Sequence, residues 1–320
     1  MINLFNIENY TIDTSKFNHI LHDNCVNEFE NTIANYVGAK YACGVSSATN
    51  AIYLAMSKGP GTEGQTVTIP SMIPPVVANA IITSRHRVKF EDNVDWVGNS
   101  YILHKFDDYK IIDSAQKLEK NQFIKEANDK DLMIFSFYPT KPVGSIDGGM
   151  VVSNDKEKIE WFREATLNGM GYANNNWERI IKFPGWKMYL NSIQAYVANE
   201  NFKNYDKKID KLGMIREYYN DKFGYNNTSN HLYRIKVKNN IETLEKLKEK
   251  GIVTGIHYKC LHNHPVYTST WVDRGDGKYV PHTLENSELE EQQTLSIPFH
   301  EGMSAMDIHN VVENVKKYII

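Results

Sequence analysis

The sequence has few cysteines, no long hydrophobic run and no excess of charge of one sign. Its 320 residues include three cysteines, Cys25, Cys43 and Cys260, an odd number without metal-site spacing. They fit small buried residues in a reducing compartment better than disulfides. No stretch approaches the roughly 20 apolar residues of a membrane helix. The N-terminal MINLFNIENYTID lacks the basic and apolar regions of a signal peptide. We therefore expect a cytoplasmic protein that does not enter a membrane.

The charge balance argues against a nucleic-acid partner. Lysine and arginine number 36 and the acids 39, which gives a net charge of −3, and no basic block stands out. A chain of this length favours two unequal domains. His262 and His264 have a spacing that suggests a metal, but no carboxylate or cysteine arrangement beyond Cys260 supports one, so we expect no metal site.

The first half of the chain alternates helices with short apolar strands. Phe29, Ile33, Tyr36 and Val37 share one helical face, and Gly38 follows as a stop signal. The strands TVTIP and RVKFED flank the helix VVANAII, and KIIDSAQ, LMIFSFYP and GGMVVS are further strands. This pattern predicts an α/β domain with a largely parallel sheet.

The pattern changes near residue 205. HLYRIKV and IVTGIHY have the composition of strands, and IETLEKLKEKG is typical of a helix. The tail is an amphipathic helix, in which Ser304 and Asp307 have the spacing of a capping box. We predict a large α/β domain over 1–204, including an N-terminal segment and a connector, and a smaller α+β domain over 205–320.

Three features fall where strands of the large domain end. SSATNA, residues 46–51, opens a helix, so it is either a phosphate-binding turn or an ordinary helix cap. Asp113 follows a buried apolar pair, where an acid needs a partner, and it either caps a helix or pairs with a protonated ring nitrogen. Lys141, in FSFYPTKPVGSIDGGMVVS, is either a surface lysine or an amine that attacks an aldehyde from a desolvated cleft.

Taken together, these features favour one ligand. Ligands of parallel sheets bind beyond the carboxyl ends of the strands, which is where all three are predicted to lie. A phosphate cradle, an acid for a pyridinium and an amine for an aldehyde are what pyridoxal phosphate requires. The combination therefore predicts Lys141 as the nucleophile.

Several segments, in order, resemble the DegT/DnrJ/EryC1/StrS aminotransferases. They are YACGVSSATNAIYLAM, TVTIPSMIPPVVANAI, IIDSAQ, FSFYPTKPVGSIDGGMVVS, GIVTGIHYKCLHNHPVY and LSIPFHEGMS, of which the lysine segment is the most specific. The resemblance implies a fold-type I, aspartate aminotransferase-like architecture. It also implies a pyridoxal-phosphate enzyme that moves an amino group from glutamate or glutamine to a nucleotide-linked keto sugar. The family resemblance further implies a homodimer with shared active sites.

The resemblance implies roles for individual residues. Lys141 would form the Schiff base and move the proton during transamination. Asp113 would pair with the pyridine nitrogen, and Gln116 would lie beside the ring near its hydroxyl. The remaining positions are Ala48, Thr49 and Ser136 around the phosphate, and His257 and Tyr258 near the sugar.

The chain also departs from the family pattern. Only DDYK separates YILHKF from IIDSAQ, too little for the crossover that a parallel strand pair needs. Ala48 replaces a preferred glycine, and Pro74 stands where an aromatic ring often covers the cofactor. In GWKMYLNSIQA, Lys187 stands where family members have an asparagine that reaches the partner's cofactor phosphate. Tyr189 stands where they have an arginine. Lys187 either meets that phosphate as a point charge or is solvated.

Two other functions compete with amino transfer. Family members that dehydrate sugars carry histidine in place of the lysine, so Lys141 argues against a dehydratase. The changes at Ala48, Pro74 and Lys187 suggest a non-catalytic binding or regulatory protein. Retention of Lys141, Asp113 and Gln116 together favours the enzyme.

Overall fold

The computed structural model describes residues 1–7, 10–57, 63–172, 178–267 and 283–320. The helices are α1 (Cys25–Val37), α2 (Ala48–Met56), α3 (Pro75–Thr83), α4 (Gln122–Glu126), α5 (Lys156–Thr166), α6 (Ser192–Phe202), α7 (Tyr205–Phe223), α8 (Asn240–Glu249), α9 (Glu285–Gln293) and α10 (Ala305–Val315). The strands are β1 (Tyr41–Val45), β2 (Thr66–Pro70), β3 (Arg87–Glu91), β4 (Tyr101–Lys105), β5 (Lys110–Asp113), β6 (Leu132–Ser136), β7 (Gly149–Ser153), β8 (Met170–Tyr172), β9 (Arg179–Ile181), β10 (Tyr233–Lys236) and β11 (Thr294–Ile297).

The central sheet has the order β1-β7-β6-β5-β4. The pair β5–β6 is parallel, whereas β1–β7, β6–β7 and β4–β5 are antiparallel. Strands β1, β5 and β6 therefore run in one direction and β4 and β7 in the other. The α/β class is confirmed, but the sheet is mixed rather than largely parallel.

The reversed direction of β4 has a local cause. Its chain returns to β5 through a tight hairpin, in which the Phe106 N–H donates to the Tyr109 carbonyl at 2.8 Å. A connection this short joins antiparallel strands only, because a parallel pair needs a crossover. Beyond β4 lies β2, which pairs in parallel with β3.

Helices cover both faces of the central sheet. Ile134 and Val151 belong to a hydrophobic cluster with α2, α3 and α5. Met133, Phe135 and Val152 belong to a second cluster with α1 and α6. This alternation follows from the two-residue period of a strand, and it fixes the sheet between two layers of helices.

A third cluster organises the C-terminal part of the chain. The antiparallel pair β10–β11 packs there with α7, α8 and α10. Ile209 packs against both this cluster and the second one, so the boundary at residues 204 and 205 stays a prediction. No helix within the described ranges has the length and apolar character needed to cross a membrane.

Two local predictions for this part had opposite outcomes. The capping box is confirmed, because the Ser304 N–H donates to Asp307 Oδ2 at 2.9 Å and Ser304 Oγ accepts from the Asp307 N–H at 3.1 Å. The strand predicted for IVTGIHY is wrong. Its Ile252 and Gly255 make only isolated bridges, to two different partners, so no continuous ladder forms.

Candidate functional site

Three strand ends meet at one edge of the central sheet. Because β1, β5 and β6 run the same way, their last residues Val45, Asp113 and Ser136 lie at that edge. Strand β7 starts there, with Gly149 opposite Ser136. The predicted phosphate turn, acid and lysine segment are thereby brought to the same side of the sheet.

The first turn of α2 lies tightly against β7. A Cβ atom on Gly149 would approach the Ala48 nitrogen to 2.5 Å, so only glycine permits this contact. Ser47 caps the helix, accepting from the Asn50 N–H at 3.2 Å. The N–H groups of Ala48 and Thr49, at the start of the helix, have no intrahelical acceptor and suit an anion. The segment SSATNA can therefore cap the helix and bind a phosphate at the same time.

Asp113 is a buried acid with two hydrogen-bond donors. Its side chain is 4% exposed, Oδ2 accepts from the Tyr101 hydroxyl, and Oδ1 accepts from the Ala115 N–H, both at 2.9 Å. Burial raises the pKa of the carboxyl, while these hydrogen bonds and the charge of Lys141 act in the opposite direction. A cationic ring nitrogen beside it would favour the ionised form.

Lys141 follows β6 in a turn, where its N–H donates to the Tyr138 carbonyl at 2.8 Å. Burial lowers the pKa of its ammonium to about 8, and the nearby Asp113 carboxylate partly opposes that effect. Among the residues that the structure describes, no hydrogen bond or ion pair holds its Nζ. The amine is thus poised for a reaction that needs its neutral form.

Gln116 is held on both ends of its amide. Its Oε1 accepts from the Gly98 N–H at 2.8 Å, and its Nε2 donates to the Tyr258 hydroxyl at 2.9 Å. Tyr258 in turn stacks on Trp96, with ring centroids 6.0 Å apart and planes 7° apart. Burial raises the pKa of the Tyr258 phenol, which therefore remains protonated. These contacts join the Gln116 side of the site to the C-terminal part of the chain.

Two histidines lie near Lys141. Burial and the charge of Lys141 lower the pKa of His257 to about 4, and its Nδ1 lies 2.9 Å from Ser296 Oγ. His231 is 7% exposed, and the same two causes hold its pKa well below the usual range. Both rings are neutral at pH 7, so Asp113 supplies the negative charge that acts on Lys141.

Pro74 and Lys187 are less closely tied to this cluster. Pro74 precedes α3 and is partly buried, and the Met72–Cys260 bridge places its segment beside the one that follows Tyr258. Lys187 is exposed and forms a bridge with Leu167. No contact in the described ranges joins either residue to Lys141, so their roles stay predictions.

Sequence reasoning missed Tyr101, Trp96 and His231. The first two lie in NVDWVGNSYILHK, where no motif marks them, and their aromatic character after a predicted strand was the available signal. His231 is the first residue of the predicted strand HLYRIKV, in the other part of the chain. Only the fold shows that it lies near Lys141.

The chain matches the model of the DegT/DnrJ/EryC1/StrS aminotransferase family over residues 6–103 and 113–316. The interruption falls on the end of β4, the hairpin and most of β5. A UDP-4-amino-4,6-dideoxy-N-acetyl-beta-L-altrosamine transaminase from Campylobacter jejuni is 26% identical, over 91% of each chain. The spore coat polysaccharide biosynthesis protein SpsC of Bacillus subtilis is 25% identical, over 92% of this chain and 89% of that protein.

Solved structures show the same architecture. The sugar aminotransferase CalS13 from Micromonospora echinospora superimposes with a TM-score of 0.79 at 15% identity, covering 99% of this chain and all (100%) of that one. Helicobacter pylori PseC, an aminotransferase involved in pseudoaminic acid biosynthesis, gives 0.77 at 18% identity, covering 98% and 99%. The fold is therefore that of the fold-type I aminotransferases.

Fold and site together define an aminotransferase with its lysine and acid at the sheet edge. The chain belongs to the DegT/DnrJ/EryC1/StrS aminotransferase family, whose model covers nearly all of it.

Proposed function

We propose that this protein uses pyridoxal phosphate, held by Lys141, to transfer an amino group from glutamate or glutamine to a nucleotide-linked keto sugar. The observation that carries the proposal is the pairing of Lys141, with a pKa of about 8, and the buried carboxyl of Asp113 at one sheet edge. The nucleotide-sugar class rests on the relative from Campylobacter jejuni, whose name specifies a UDP-linked amino sugar.

The residues present fit the cofactor. Gly149 lets β7 approach the first turn of α2, which leaves the N–H groups of Ala48 and Thr49 for a phosphate. Ser136 ends β6 opposite Gly149, so its hydroxyl lies beside that turn. The buried acid matches the ring nitrogen, and the Lys141 amine, which has no partner among the described residues, matches the aldehyde.

When bound, pyridoxal phosphate supplies an electron sink for the carbon that gains or loses the amine. In its neutral form Lys141 Nζ would hold the cofactor through its aldehyde, and it would afterwards carry the proton between the cofactor carbon and the sugar carbon. The Asp113 carboxylate would keep a proton on the ring nitrogen. Tyr101 holds that carboxylate in place through the 2.9 Å hydrogen bond to Oδ2, and Gln116 is fixed by its two amide contacts.

We assign the sugar side of the site to His257 and Tyr258. Both lie near the Lys141–Asp113 pair, since the charge of Lys141 acts on His257 and that of Asp113 on Tyr258. Neutral imidazole and phenol groups suit hydroxyl and amide groups of a sugar. We also propose a cytoplasmic homodimer, in which exposed Lys187 reaches the phosphate in the neighbouring subunit.

The test is a transamination assay with a UDP-linked 4-keto-6-deoxy-N-acetylhexosamine and ¹⁵N-labelled glutamate or glutamine. The proposal predicts a labelled amino sugar with wild type and none with Lys141→Ala. Lys40→Ala, on the exposed surface, is the control and should retain full activity. A deoxygenated, nitrogen-free product would instead indicate a dehydratase. Cofactor binding without turnover of any sugar would indicate a binding protein.

A further inference from the structure

A buried indole N–H lies unused beside the proposed cofactor site. Trp96 is 6% exposed, and its Nε1 has no hydrogen-bond partner within the described part of the chain. A buried donor without an acceptor destabilises the folded state. Such a group calls for an explanation, and a bound ligand is one.

The surroundings of Trp96 connect it to both polar groups that we assign to the cofactor ring. Its ring packs on Tyr101 at 4.9 Å between centroids, and the Tyr101 hydroxyl donates to Asp113. Its other ring neighbour is Tyr258, whose hydroxyl accepts from Gln116. Trp96 therefore bridges the residue expected at the ring nitrogen and the one expected near the ring hydroxyl.

The position of Trp96 in the chain connects it to a second contact of the site. It lies between β3 and β4, in the turn that leads into β4. The Gly98 N–H that holds Gln116 belongs to the same turn. This turn therefore supplies both an aromatic ring and a backbone donor to the Gln116 side of the site.

We propose that Trp96 is a cofactor-binding residue whose Nε1–H donates to the ring oxygen of bound pyridoxal phosphate. The inference rests on the proposed function. A donor at this oxygen stabilises its negative charge, and this lowers the pKa of the protonated nitrogen that joins the cofactor to Lys141. The two tyrosines hold the indole in place by packing on it.

The experiment compares Trp96→Phe, which keeps a ring but loses the donor, with Trp96→His, which keeps a ring N–H. Trp96→Phe should weaken pyridoxal phosphate binding by roughly three- to tenfold, the range for one hydrogen bond. It should also raise the pH midpoint of the cofactor's visible absorbance band by about one pH unit. Trp96→His should restore the midpoint at least in part.

Intrinsic fluorescence gives a second readout with a matched control. Contact with the cofactor should make Trp96 the most strongly quenched of the five tryptophans, so Trp96→Phe should lose much of the quenching. Trp161→Phe should retain the quenching, because Trp161 lies on α5 and stacks on Phe183, away from the sheet edge. An unchanged affinity and midpoint in Trp96→Phe would overturn the inference.

Two further outcomes can be told apart, namely a variant that does not fold and a wild type that does not attach the cofactor. If Trp96→Phe does not fold, wild type labelled with ¹⁵N-tryptophan carries the test, with single substitutions of the other four tryptophans identifying the Trp96 signal. That signal should shift when pyridoxal phosphate binds, and a fixed signal contradicts the inference. Failure of wild type to attach the cofactor at Lys141 would refute the proposed function itself.

Discussion

The pKa of Lys141 should decide how readily this enzyme captures an aldehyde. With a pKa of about 8, about one amine in ten is neutral at pH 7, against roughly one in 2,500 for an ordinary lysine of pKa about 10.4. The structure thus predicts a neutral fraction of Lys141 roughly 200-fold above that of a solvated lysine at pH 7. The cause is burial, which disfavours the ammonium form.

Competitive acetylation of the cofactor-free protein, followed by peptide mass analysis, measures this property without any turnover. Because only the neutral amine reacts, labelling of Lys141 should rise with pH and reach half its plateau near pH 8. An ordinary solvated lysine would reach half its plateau near pH 10. A Lys141 midpoint near pH 10 would refute the reasoning.

Asp113→Asn separates the two causes of the Lys141 pKa. The carboxylate attracts the ammonium and raises its pKa, so its removal should lower the labelling midpoint by about one pH unit. Asp147→Asn is the matched control, since Asp147 is also partly buried in this loop but does not act on Lys141. An upward movement of the midpoint in Asp113→Asn would contradict the assigned geometry.

Four other variants test the framework of the protein and its site. Gly149→Ala should weaken cofactor binding and lower stability by about 1–3 kcal/mol in a urea titration, since its Cβ meets backbone at 2.5 Å. Gly213→Ala, whose Cβ has room within α7, should instead raise stability by about 0.5–1 kcal/mol. Tyr101→Phe should raise the pKa of Asp113 further and weaken cofactor affinity roughly tenfold in an absorbance titration. Ser304→Ala should lower stability by about 0.5–2 kcal/mol without altering cofactor affinity, because Ser304 caps α10. A change in cofactor affinity would contradict this purely structural role.

Local patterns in the sequence were sufficient for much of the fold. The apolar face with Ile33 and the stop at Gly38 predicted α1, and Gly38 has the left-handed φ of 80° that ends it. The ends of β1 near Val45 and of β5 at Asp113 were predictable because apolar runs stop there, whereas β6 ends at Ser136, before the end of the predicted strand LMIFSFYP. Their meeting at one edge followed from the direction shared by β1, β5 and β6.

The remainder depends on contacts that no local pattern encodes. The reversed direction of β4 arises from the hairpin between Phe106 and Tyr109, where the short connection signalled only that a helix was missing. Strand β7 is also antiparallel to both of its neighbours, β1 and β6. Ile252 lies in an apolar run with the composition of a strand, but within the described residues this run forms only isolated bridges and no ladder. His231 and Trp96 reach the site through tertiary packing, so their importance emerges only once the domains are assembled.

The central claim is that Lys141 binds the cofactor covalently. Borohydride reduction of the protein incubated with pyridoxal phosphate, followed by peptide mass mapping, tests it directly. The account predicts one phosphopyridoxyl group per chain, on the peptide that contains Lys141, and none in Lys141→Ala. Labelling spread over exposed lysines, or its persistence in Lys141→Ala, would contradict the account.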